Sequence, residues 1–265
     1  MKVLVYINNE KDINGNYRKK ISSLLDANKI EHDFIKDQDF NCSYTADALF
    51  VYGGDGTILD VASFSVKNNM PIIAINSGKL GFLASFEEYE TELAIKLLLE
   101  NSLISDERIV LNINLNGKNY IALNEIIVRK LFLENDEKIV YLSLKDSKNL
   151  IRKIKGDGLL LSTPTGSTAY AYSIGNCIIS PELDNFLILP IAPHSVDRHC
   201  LIVSSNNKYT IEIESDRPAG IFIDGEFISM FNKQDKIEVT KHHSKIVFFR
   251  KKEYDFYENL KKVTN

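Results

Sequence analysis

The chain has 265 residues, enough for one large α/β domain or two modest ones, and two is the expectation. At 44% apolar and 26% charged it is not a disordered chain, and a net charge of −4 with a pI near 5.8 leaves no global positive field to gather nucleic acid or an anionic membrane. No run nears the roughly 20 apolar residues of a membrane span, the apolar stretch at the N-terminus is too short for a signal-peptide core, and Cys42, Cys177 and Cys200 lack metal-ligand spacing, so a cytoplasmic protein with reduced thiols is expected.

In chain order, residues 3–7 form a continuous apolar run of the kind shown by a strand covered on both faces. Tyr17, Ile21, Leu24 and Leu25 recur at helical spacing, and 32–35 reads as a second strand. A third strand over 46–52 ends in a glycine turn, followed by a helix over 58–66, a strand over 71–75 and a helix over 88–99. Strand and helix alternating in this way imply a parallel sheet with helices on its faces. From about residue 105 the texture changes. Runs at 109–115 and 120–129 flank Asn116-Gly117, a dipeptide suited to the positive φ angles of a tight hairpin, and 139–144 and 150–155 flank a second turn. Further β-type runs at 209–214, 220–223, 236–239 and 245–249 make this part predominantly β, with one helix opening near Thr165-Gly166-Ser167. The tail over 253–263 reads as a terminal helix able to pack back on the first domain.

Several segments carry chemistry. Gly53-Gly54-Asp55-Gly56-Thr57 sits between a strand and a helix, where backbone N–H groups and the helix dipole attract anions and glycines admit a close approach. An aspartate in such a loop is repelled by phosphate unless it binds a metal ion or accepts a proton from an attacking hydroxyl; the alternative is a turn with a solvated carboxylate. The P-loop pattern is absent. Asn76-Ser77-Gly78-Lys79-Leu80-Gly81-Phe82 follows the next strand, at the sheet edge where ligands of open α/β folds bind, and two glycine turns on consecutive strand ends build one crevice. Asn124 and Glu125 offer an amide and two acceptors, suited to an amide or a ribose diol, although on these residues alone an edge strand with one solvated carboxylate is the favoured reading. After Lys155-Gly156-Asp157-Gly158 and an apolar strand, five of the seven residues from 162 to 168 carry hydroxyls, more than a helix cap requires, which favours binding. Asp224-Gly225-Glu226 reads as a hairpin turn, and the five histidines show no metal-ligand pattern.

Together and in order, these segments resemble the NAD kinase family: GGDGT at 53–57, NSGKLGFL at 76–83, NE at 124–125, GDGLLLSTPTGSTAY at 156–170, LPIAPHSVDR at 189–198, DGE at 224–226 and FYENL at 256–260. The chain departs from the usual pattern at Gly175-Asn176, where a second glycine is common, and at Arg198-His199, where Arg-Pro is common. The resemblance implies a Rossmann-like α/β N-terminal domain (1–104), a β-rich NAD-binding domain (105–245) and a terminal segment (246–265) returning to the first. It implies transfer of the ATP γ-phosphoryl group, with Mg²⁺, to the adenosine-ribose 2′-hydroxyl of NAD across an interdomain crevice, in a homodimer or homotetramer. By matching position, Asp55 is the catalytic residue, with Gly56 beside it. Phe82, Asn124 and Glu125 surround the adenine and its ribose, and Thr165, Thr168, Ala169, Tyr170 and Ser173 contact the dinucleotide. Lys155, Asp157 and Ala192 belong to the part reached from an adjoining subunit, and Asp224 completes the set. A diacylglycerol-type lipid kinase shares the glycine turn but calls for an apolar groove and membrane attraction, and a dinucleotide-sensing module would bind without turnover.

Overall fold

A computed structural model describes residues 1–78, 81–131, 139–147, 149–175, 177–194 and 198–264. Lys79, Leu80 and Asn176, the 195–197 part of the LPIAPHSVDR segment, and Lys148 of the second expected turn lie outside the described residues. The chain divides into two units, Met1–Glu107 with Ile246–Asn265, and Arg108–Lys245.

The first unit begins with β1 (Lys2–Ile7), α1 (Asn16–Ala27), β2 (Glu31–Ile35), β3 (Ala48–Gly53), α2 (Asp55–Lys67), β4 (Ile72–Asn76), β5 (Phe86–Glu87), α3 (Thr91–Leu99) and β6 (Ile104–Arg108). Strands β2, β1, β3 and β4 lie side by side and parallel. β3 and β4 are buried throughout, as the apolar runs require when helices cover both faces. Side chains alternate across the sheet: Val3, Val5, Phe50, Tyr52, Ile73 and Ile75 pack with Tyr17, Ile21 and Leu25 of α1 and Ala94, Ile95 and Leu98 of α3. Helix α1 starts where the Asp12 carboxylate accepts the N–H groups of Tyr17 and Arg18, each at 2.9 Å. Helix α2 opens at Asp55, one turn before the residue 58 that apolar periodicity suggests, because a polar first turn carries no apolar signal.

The second unit contains β7 (Leu111–Leu115), β8 (Lys118–Ala122), β9 (Glu125–Arg129), β10 (Val140–Asp146), β11 (Asn149–Gly156), β12 (Gly158–Ser162), α4 (Tyr170–Gly175), β13 (Asn185–Ile191), β14 (Leu201–Ser204), β15 (Tyr209–Ile213), β16 (Ala219–Ile223), β17 (Glu226–Phe231) and β18 (Ile237–Lys241). Among the described residues these form two antiparallel sheets, β11-β10-β15-β18-β7-β8 and β14-β13-β12-β9-β16-β17. Leu142, Leu144, Ile211 and Val239 of one meet Ile126, Val128, Leu159 and Leu161 of the other in a common core. The far side of the second sheet is also covered: Ile127, Leu160, Leu187 and Leu189 pack with Ala171 of α4 and Ile179. The run at 120–129 is not one strand. The chain leaves β8 in one sheet, turns at Leu123-Asn124 and enters β9 in the other. Apolar residues continue through this corner because both sheets share a core, which hides the break.

The last strand and helix, β19 (Ile246–Arg250) and α5 (Phe256–Thr264), belong to the first unit. β19 lies between β4 and β6 in the parallel sheet. Buried Arg250 ties the end of β19 to β6, donating from Nε to Asp106 at 2.5 Å.

Candidate active site

In the parallel sheet, Gly53 at the end of β3 is paired with Asn76 at the end of β4, so the two glycine turns are neighbours at the carboxyl edge. The Ser77 N–H donates to the Gly53 carbonyl at 3.2 Å. Asn76 organises its own loop, donating from Nδ2 to the Gly78 carbonyl at 2.9 Å and to Glu87 at 3.1 Å. Asp55, in the first turn of α2, is not a solvated turn residue. Its Oδ2 accepts the Phe82 N–H at 2.8 Å and its Oδ1 the Leu83 N–H at 3.1 Å, so both oxygens are oriented by the loop after β4. A Cβ on Gly81 would overlap this carboxylate, which is why that position carries no side chain. Asn8, just past β1, donates from Nδ2 to Thr57 Oγ1 at 3.0 Å and from its N–H to the Tyr52 carbonyl at 3.1 Å. Sequence reasoning passed over Asn8; its place directly after a buried parallel strand at the carboxyl edge was the available signal.

In the second unit the corner at Leu123-Asn124 gathers three of the expected segments. Asp224 and Gly225 join β16 to β17 with φ of 47° and 90°, the two positive angles of a tight hairpin turn. The turn also does more, because the Asp224 carboxylate accepts the N–H groups of Leu123, Asn124 and Glu125 at 2.7, 2.8 and 3.0 Å. The Asn124 carbonyl accepts the Ser162 hydroxyl at 3.0 Å and the Thr163 N–H at 2.8 Å, while the Leu123 carbonyl accepts the Thr163 hydroxyl at 2.6 Å. Asn124 and Glu125 therefore need not follow strand alternation, since a corner separates them from β8.

Burial pushes the Glu125 carboxyl up to about 8, with the nearby Asp224 charge adding to the effect, and its Oε2 has no hydrogen-bond partner among the described residues. At neutral pH Glu125 carries a proton and offers a donor, not the two acceptors of a carboxylate. Burial raises Asp224 to about 6, against the three backbone N–H bonds that favour its charged form.

The hydroxyl-rich stretch divides in two. Ser162 and Thr163 hold the corner, and Ser167 donates to the Pro164 carbonyl at 2.6 Å while accepting the Ile179 N–H at 3.0 Å. These three hydroxyls serve the scaffold, so hydroxyl density overstated the case for binding. Thr165 is buried beside them, Thr168 and Ala169 are half-buried, and Tyr170 and Ser173 are exposed on α4. Lys155, Asp157 and Ala192 come together: the His194 N–H donates to the Lys155 carbonyl at 2.8 Å and the Asp157 N–H to the Ile191 carbonyl at 2.9 Å, flanking Ala192 at φ 40°. Lys130 pairs with Asp157 at 2.7 Å, a partner with no local sign in the sequence. Among the described residues no group of three or more His, Cys, Asp or Glu side chains could hold a metal ion.

A parallel sheet carrying an oriented carboxylate at its glycine-turn edge, in a chain with a second, β-sandwich unit, is an α/β-plus-β architecture whose turn is suited to phosphoryl transfer. Residues 5–103 match the model of the ATP-NAD kinase N-terminal domain and residues 123–251 that of the C-terminal domain, and an NAD kinase of Caldicellulosiruptor bescii is 30% identical over 264 residues, 98% of each chain. The chain belongs to the NAD kinase family. Two solved structures share the fold. Yeast NADH kinase complexed with NADH has a TM-score of 0.84 at 22% identity, with 100% of this chain and 87% of that one covered. An NAD kinase from Archaeoglobus fulgidus in complex with ATP has a TM-score of 0.80 at 24% identity, with 100% and 99% covered.

Proposed function

We propose that this chain transfers the γ-phosphoryl group of ATP to the adenosine-ribose 2′-hydroxyl of NAD, giving NADP and ADP, with Asp55 as the proton acceptor. The observation that carries the proposal is the Asp55 carboxylate, held by the Phe82 and Leu83 N–H groups at the carboxyl edge of the sheet. Each oxygen accepts one N–H there and keeps a second lone pair for a substrate hydroxyl. As the ribose oxygen bonds to phosphorus, its proton passes to Asp55 and ADP leaves with the electrons of the broken P–O bond. Phosphoryl transfer has a loose transition state, so in-line positioning supplies most of the acceleration. A divalent cation bound with ATP, which we take to be Mg²⁺, would supply charge neutralisation on the phosphates. It commonly uses one or two carboxylates plus phosphates and waters, and Asp55 is the carboxylate in the glycine turn suited to contribute.

Gly56 lies against the ribose and phosphates, and Phe82, Asn124 and Glu125 frame the adenine and its ribose in this reading. Thr165, Thr168, Ala169, Tyr170 and Ser173 contact the dinucleotide. Asp224 contributes by fixing the backbone of Asn124 and Glu125. Lys155, Asp157 and Ala192 form the part completed by a neighbouring subunit of a homodimer or homotetramer, a state that sedimentation would measure. No described helix is long and apolar enough to cross a membrane, and we place the protein in the cytoplasm.

The test is NADP formation from NAD, ATP and Mg²⁺ with the wild type and Asp55→Asn. The wild type should form NADP, and the variant should lose roughly 10²- to 10⁴-fold in kcat, the scale of a general base. Full activity in the variant would remove Asp55 from this role, and NAD binding without NADP formation by the wild type would make the chain a sensor.

A further inference from the structure

The Asp55 carboxylate is held on one side of residues 81–83, and the other side of the same backbone is held by the end of the chain. Asn259 donates from Nδ2 to the Gly81 carbonyl at 3.0 Å, the Tyr254 hydroxyl donates to the Phe82 carbonyl at 3.2 Å, and Arg250 donates from Nη1 to the Leu83 carbonyl at 2.5 Å. Three successive carbonyls are thus taken by three side chains of the segment from β19 to α5. The peptide unit between Gly81 and Phe82 presents its oxygen to Asn259 and its N–H to Asp55. The next unit presents its oxygen to Tyr254 and its N–H to Asp55.

A peptide plane bonded at both ends cannot rotate without breaking both bonds. A donor on its oxygen also polarises the unit and strengthens its N–H as a donor. The support is itself rigid: the buried Arg250 guanidinium is bonded to Asp106 and lies 4.0 Å from the Tyr254 ring centroid. Asn259 is buried on α5, and Asp255 caps that helix by accepting the N–H groups of Tyr257 and Glu258 at 2.8 and 2.9 Å.

We propose that Tyr254 and Asn259, braced by Arg250, are positioning residues for phosphoryl transfer: they fix the two peptide units whose N–H groups aim the Asp55 carboxylate at the acceptor hydroxyl. The end of the chain then sets the turnover rate without touching either substrate. This rests on the reading of Asp55 as the proton acceptor.

The experiment compares Tyr254→Phe, which removes one hydroxyl, and Asn259→Ser, each alone and combined with Asp55→Asn, in steady-state NADP formation with thermal unfolding measured in parallel. Tyr254→Phe guards against a folding defect in the helix variant. The expected result is a kcat about three- to tenfold lower in each single variant, the rate equivalent of one neutral hydrogen bond, with the KM values for NAD and ATP unchanged. In the Asp55→Asn background the same changes should cost nothing further, because residues acting through one group are not additive. Wild-type kcat in Tyr254→Phe, a loss expressed only in KM, or an equal fold loss with and without Asp55 would overturn the proposal. A wild type that forms no NADP is a different failure, that of the proposed function.

Discussion

The titration of Glu125 leads to a measurable dependence of stability on pH. The residue is 5% exposed, and its carboxyl is raised from 4.5 to about 8 by burial and by Asp224. Between those values the folded chain keeps a proton that the unfolded chain has released, so folding takes up a proton and stability falls as pH rises. The contribution is complete below pH 4.5 and is lost by about pH 8. Asp224, raised from 3.8 to about 6, acts with the same sign, is half titrated at pH 6 and adds little above pH 6.5. His242, lowered from 6.5 by burial, acts mainly below that value and in the opposite sense, and Cys200, raised from 9.0 to about 11, acts from about pH 9 upward. The interval from pH 6.5 to 8 therefore isolates Glu125 among the groups with shifted titration. One proton per molecule corresponds to a slope of about 1.4 kcal/mol per pH unit, hence a loss approaching about 2 kcal/mol across the interval. That is large against the roughly 5–15 kcal/mol net stability of a folded domain.

The assay is urea unfolding followed by circular dichroism at pH 6.5 and 8, for the wild type and Glu125→Gln. Glutamine keeps the shape of the protonated acid and cannot ionise. The variant should unfold at nearly the same urea concentration at both pH values, should match the wild type closely at pH 6.5, and should be the more stable of the two at pH 8. A wild type indifferent to pH in this interval, or a variant with the wild-type slope, would refute the assignment of a protonated Glu125.

Two other perturbations test the scaffold around the candidate site. Asp224→Asn leaves one amide oxygen where two carboxylate oxygens served three N–H groups, so at least one buried donor is orphaned. It should cost about 1–3 kcal/mol in urea unfolding and raise the KM for NAD by loosening Asn124. Gly81→Ala drives a methyl group into the Asp55 carboxylate; kcat for NADP formation should fall at least tenfold with little change in the KM for ATP.

The fold of the first unit was largely legible because parallel strands buried on both faces are apolar without interruption, as 3–7 and 48–52 are, and because glycine turns punctuate them. The hairpin at Asn116-Gly117 was legible for a similar local reason, with φ of 50° and 90° at the two positions. Strand β13 was missed since Pro190 interrupts its apolar run; the proline lies past the end of the β14 pairing, where among the described residues only β12 flanks the strand. Strand β17, an edge strand with Phe227 and Met230 exposed, shows no clean alternation.

For the candidate site, the sequence alone singled out the carboxylate in the glycine turn as an unusual residue in its segment, while the Asn124-Glu125 pair and the Asp224 turn entered only through the family resemblance. Tertiary structure alone decided what holds them. The Asp224 bonds span about a hundred residues of chain, those of Tyr254, Asn259 and Arg250 to residues 81–83 well over a hundred, and the protonation of Glu125 comes from burial between elements distant in sequence. A backbone N–H or C=O is the same chemical group in every residue, so no sequence pattern records which side chain will take it; only the folded chain brings donor and acceptor within hydrogen-bonding distance.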